Sequence, residues 1–126
     1  MEASDKNLVA VIDYERLVSL YGDNPRLIRN TFGLFLDSVL PDFEKLDRDV
    51  YLQQWPEIAN AMHQVLPWLG MVGLTQLETD FRNLEDMVKG NPQSEPFLTA
   101  WGQFKSGFDL GVVKIRDELA RMNDLA

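Results

Sequence analysis

One residue in this chain has the chemistry of a nucleophile or proton carrier at neutral pH, and it stands alone. His63 is the only histidine among 126 residues, and there is no cysteine. Cysteine-based zinc sites, thiol catalysis, disulfides and histidine-rich metal centres are therefore excluded. An imidazole free in water has a pKa of about 6.5, so near pH 7 it is mostly neutral and has a lone pair to give. His63 lies in the stretch Asn60 to Leu74, NAMHQVLPWLGMVGL, with a proline four residues later.

The placement of His63 follows from the helix around it. At roughly 100° per residue from Ile58, the residues Met62, Val65 and Leu69 form one apolar stripe and His63 falls about 140° away. Its helical neighbours are Ala59, Asn60, Leu66, Pro67 and Gly70. Most are small, so the ring is expected to project from a low platform that a bulky partner can reach. Trp68 falls on the other side and reads as packing. The same geometry makes His63 an ordinary polar surface residue if nothing docks there.

The remaining elements are helical. Asp13 caps a short helix from Tyr14 to about Tyr21, ended by Gly22. Asn24 and Pro25 restart the chain into a long helix reaching about Leu52, with Ile28, Phe32, Phe35, Val39, Phe43, Leu46 and Val50 on one face. Pro41 should bend it, because it removes a backbone donor. A third helix begins near Pro56 and holds His63. A fourth runs from about Leu74 to Val88. A last one, capped by Ser94, runs from Glu95 to about Met122, with Gly102, Gly107 and Gly111 weakening it or permitting close packing. These elements predict an all-α fold: one domain over residues 1–126, core about 12–122, as an antiparallel up-and-down four-helix bundle with a short additional N-terminal helix.

Bulk properties narrow the function. The chain is 45% hydrophobic and 25% charged, with a net charge of −8. The acidic balance argues against nucleic acid as a partner. The longest apolar run, Val65 to Leu74, is about half the roughly 20 residues that a membrane span needs. The polar start MEASDKN is unlike a secretion signal, so a cytoplasmic location is the expectation. No glycine-rich phosphate loop is present, which argues against autonomous ATP use. The charged run Glu44 to Asp49 reads as a solvated helix face rather than a metal site.

Gly73 stands ten residues after His63, and Leu77, Leu84-Glu85 and Lys89-Gly90 follow. In these residues and their spacing the sequence resembles the histidine-containing phosphotransfer (HPt) domains of bacterial two-component phosphorelays, with His63 at the family's histidine. The upstream segment IDYERLVSLYGDNPRLIRNTFGLFLDSVLPDFEKL is similar to the family's first helices. Two positions depart from the pattern: the family's lysine is Leu66 here and its glycine is Pro67, so a bend or loosened turn is expected at the histidine.

The resemblance implies that His63 accepts a phosphoryl group from a receiver aspartate and passes it to another receiver. The partners would be response-regulator receiver domains and a hybrid sensor kinase. The docking face would comprise Ala59, Asn60, Gln64, Leu66, Pro67 and Gly70, extended by Thr75, Thr79 and Arg82. No cofactor is expected on this domain, because the receiver would bring Mg²⁺, and a monomer suffices. The alternative is a degenerate HPt-like docking module, or a helical adaptor, that binds a receiver or kinase without carrying phosphate.

Overall fold

A computed structural model describes residues 11–90 and 95–125. It is all-helical, with no strand among the described residues. The helices are α1 (Tyr14–Tyr21), α2 (Pro25–Leu34), α3 (Leu40–Tyr51), α4 (Trp55–Met71), α5 (Thr75–Gly90) and α6 (Glu95–Leu125). A π-helical turn, Phe35–Val39, joins α2 to α3, so among the described residues five helical rods pack against one another. Within this set α4 packs on α3 and α5, α6 packs on α5 and α2, and α1 lies across α4 and α2. No helix among the described residues is long and apolar enough to cross a membrane.

The caps follow from short polar side chains. Asp13 Oδ1 accepts the Arg16 N–H at 3.1 Å, and Asn24 Oδ1 accepts those of Arg26 and Leu27 at 3.1 and 3.3 Å. Each satisfies a backbone donor that the first helical turn leaves without a partner. Ser94, expected to cap the last helix, lies outside the described residues. Gly22 ends α1, donating its N–H to Val18.

Pro41 acts in a way the apolar spacing did not foretell. A proline cannot donate to the carbonyl four residues back. The chain widens just before it: Leu40 donates its N–H to Phe35, an i→i−5 bond, and Pro41 then falls in the first turn of α3, where a missing N–H costs little. The expected single helix is thus two α-helices joined by a π turn.

The core is aromatic. Phe43 packs against Phe35, Phe81, Phe104 and Phe108, with centroids 4.4 Å apart in the Phe43–Phe108 pair. These rings are nearly fully buried and come from the π turn, α3, α5 and α6, so one cluster ties four segments together. Removing such a ring costs roughly 3–5 kcal/mol. Gly107 and Gly111 let α6 approach α5 closely, since a Cβ at either would lie 3.1 Å from Leu77 or Leu74. Gly102 faces open space and has no such role. The run Glu44 to Asp49 is only partly a solvated face: Lys45 pairs with Asp49, whereas half-buried Asp47 accepts the indole N–H of Trp101 at 2.7 Å.

Besides the pairing of Arg16 with Glu78, helix α1 is fastened at two places. At one, the Asp13 N–H donates to the Gly73 carbonyl at 2.7 Å, Thr75 Oγ1 donates to Asp13 Oδ2 at 3.1 Å, and Tyr21 Oη donates to the Met71 carbonyl at 2.8 Å. This last bond serves a carbonyl at the C-terminal end of α4, which has no partner within the helix. Gly73 adopts φ +80°, and a Cβ there would stand 3.1 Å from Ile12 and 3.2 Å from the Asp13 carbonyl. At the other, Tyr14 meets Glu118 of α6, which also pairs with Arg121. Burial, then the Glu118 contact, pushes the Tyr14 hydroxyl above its ordinary pKa, while the Arg121 hydrogen bond holds the Glu118 carboxyl below its own.

Candidate functional site

Helix α4 presents His63 to solvent as its angle requires. The imidazole is 82% exposed, and Nδ1 lies 3.3 Å from Oε2 of Glu85 on α5. Glu85 itself is 12% exposed in its side chain, held between Leu84 and Val88 in the apolar stripe of that helix. A carboxylate can only accept a hydrogen bond. In the neutral ring Nδ1 can pair with it only when it carries the proton, the tautomer whose lone pair is on Nε2, the nitrogen away from Glu85. An exposed ring in that tautomer, beside a sheltered carboxylate, can act as a nucleophile or proton carrier.

Of the residues expected around the histidine, Asn60, Gln64 and Pro67 are exposed and Ala59 is half-buried. Leu66 and Gly70 do not belong to the open face. Leu66, at about 80° from Ile58, sits at the edge of the core stripe and is 9% exposed. Gly70 is covered by a charged pair from elsewhere in the chain: a Cβ at this position would lie 2.6 Å from both the Arg16 guanidinium and the Glu78 carboxylate. The platform is therefore shorter than the helical spacing implied, and it ends in a wall of ions. Thr75 is likewise occupied with Asp13, whereas Thr79 and Arg82 are exposed.

That wall has a definite composition. Glu78 receives Arg16 at 3.2 Å on Oε1 and Arg82 at 3.3 Å on Oε2, and is itself only 13% exposed. Arg82 is 61% exposed. Of the bend or loosened turn expected at Pro67, no loosened turn is present: α4 stays α-helical from Trp55 to Met71. Only the donor that would ordinarily reach the His63 carbonyl is missing.

Sequence reasoning placed Glu85 in a motif but missed its pairing with His63, and it missed Arg16 altogether. Glu85 carried a signal, since an acid set among Phe81, Leu84 and Val88 is rarely left in an apolar face without a partner. Arg16 carried none, because its contact with Glu78 spans 62 positions.

Comparison with known proteins found no matching family model, no similar curated protein and no similar solved structure.

Proposed function

We propose that this chain is a histidine phosphotransfer domain, an antiparallel up-and-down four-helix bundle with a short N-terminal helix, acting as a cytoplasmic monomer between receiver domains. The observation that carries the reading is the His63–Glu85 pair: a projecting imidazole whose Nδ1 is engaged by a sheltered carboxylate. In the proposed step the Nε2 lone pair attacks the phosphorus of a receiver phospho-aspartate. The P–O bond breaks, and its electron pair leaves with the aspartate carboxylate. Glu85 balances the positive charge that the ring gains while Nδ1 keeps its proton. The same step in reverse delivers the group to a second receiver. The receiver supplies Mg²⁺, and much of the acceleration comes from alignment. Ala59, Asn60, Gln64 and Pro67 are the docking face.

A second reading, a module that binds a receiver or kinase without carrying phosphate, is favoured by one observation: Leu66 is buried and uncharged where the resembling family has a lysine. One experiment separates the two. The domain is mixed with a phosphorylated receiver, and acid-labile, base-stable phosphate is followed on wild type and His63→Gln. Label on wild type alone is the expected result. Receiver binding without label on either protein overturns the relay and leaves the docking module.

A further inference from the structure

Helix α4 offers a phosphoryl group on His63 no cation of its own, and Glu85 beside the ring adds a negative charge. We propose that Arg82 supplies the missing positive charge from the facing helix, exchanging Glu78 for the phosphoryl oxygens. The inference rests on the phosphotransfer reading.

Two contacts fix how α4 and α5 face each other. His63 meets Glu85, and Gly70 lies under Glu78, so residue numbers rise along one helix as they fall along the other. Arg82 stands between these two contacts, three residues from Glu85 and four from Glu78 on α5. It is thus about one helical turn, some 5 Å along the axis, from the residue that touches His63. Its side chain is 61% exposed and, among the described residues, is held by one pair, at 3.3 Å to Glu78. A flexible arginine can cover that step, and its planar fork matches phosphate oxygens.

The exchange is feasible because Glu78 has a second cation. Arg16 remains on Oε1 at 3.2 Å when Arg82 leaves Oε2, so the sheltered carboxylate is never stranded. Stranding it would oppose the swing, since an unpaired buried charge is costly. Lys89, one turn beyond Glu85 on the other side and exposed, is the competing source of charge.

The test loads the full chain with phosphoramidate, a small phosphoryl donor, so that no receiver is needed. The imidazole gives its lone pair to phosphorus, and ammonia leaves with the electrons of the broken P–N bond. ³¹P NMR follows loading and the lifetime of the phosphohistidine in wild type, Arg82→Gln, Arg82→Lys and Lys89→Gln. Arg82→Gln is expected to load roughly fivefold more slowly, as for loss of an exposed charge partner. Arg82→Lys should recover most of the rate and Lys89→Gln should match wild type. In wild type the Arg82 Nε–H resonance should shift on loading. Equal rates in wild type and Arg82→Gln, an effect carried by Lys89→Gln instead, or no loading of wild type overturns the proposal. Failure of the relay reading looks different: no transfer from a phosphorylated receiver, while the phosphoramidate contrast between wild type and Arg82→Gln persists.

Discussion

Nδ1 of His63 lies 3.3 Å from Oε2 of Glu85, and the two side chains sit in opposite surroundings, one 82% exposed and the other 12%. The sheltered partner is fixed by the packing of α5, so the exposed ring inherits an orientation that it could not keep alone. Structure and chemistry meet in that bond.

Replacing Glu85 with glutamine tests it directly. Glutamine keeps the shape and removes the charge that balances the ring. Receiver-to-His63 transfer is expected to fall about tenfold, the equivalent of some 1.4 kcal/mol in the barrier. ¹⁵N NMR of the neutral ring should show the Nδ1–H tautomer in wild type and a mixture in Glu85→Gln. Unchanged tautomer populations would mean that the charge of Glu85 does not set the proton's position.

Leu66→Lys introduces the lysine that the resembling HPt domains carry three residues after their histidine, but the site is at the rim of the core, 9% exposed. The ammonium must either enter apolar surroundings or pull its stem out toward water. Stability should drop by about 1–3 kcal/mol, measured by urea unfolding. A variant as stable as wild type would show that the rim opens easily.

Gly73→Ala forces a side chain onto a residue at φ +80°, against Ile12 and the Asp13 carbonyl. The expected loss is about 1–3 kcal/mol. Amide exchange should rise first in α1, because the Asp13–Gly73 bond lies at the strained point. Loss spread evenly over all helices would argue against α1 as the element that yields.

The Tyr14–Glu118–Arg121 contact makes the join between α1 and α6 pH-dependent. Arg121 lowers the folded pKa of Glu118, so this contribution is present above the ordinary glutamate range and is lost as pH falls through the lower folded value. Burial raises that of Tyr14, so its contribution is complete below the ordinary tyrosine range and is lost as pH rises through the higher folded value. Thermal unfolding across pH should show a flatter acid limb in Glu118→Gln and a flatter alkaline limb in Tyr14→Phe. Limbs identical to wild type would remove the contact from the pH response.

Local signals in the sequence proved readable where a residue acts on its own helix. Asp13 and Asn24 cap because a short polar side chain can reach back to the first free N–H groups. The outward angle of His63 follows from the phase of Met62, Val65 and Leu69 alone. Relationships between helices were not readable. Glu85 needed the facing phase of α4 and α5, and Arg16 over Gly70 needed the position of α1. The π turn before Pro41 escaped for another reason: the apolar residues keep steps of three and four straight through it, so the hydrophobic pattern is blind to one widened turn.

Gly73 takes on a different meaning from its place beneath α1. Its positive φ and the crowding by Ile12, Asp13 and Leu17 are demands of joinery, set by laying a first helix across the α4–α5 corner. Those demands are the same whether the histidine ten residues earlier carries phosphate or nothing. A glycine at that spacing is therefore a mark of how the corner is built and is silent about chemistry, which leaves the ring, its carboxylate and the arginine a turn away as the residues on which activity must be judged.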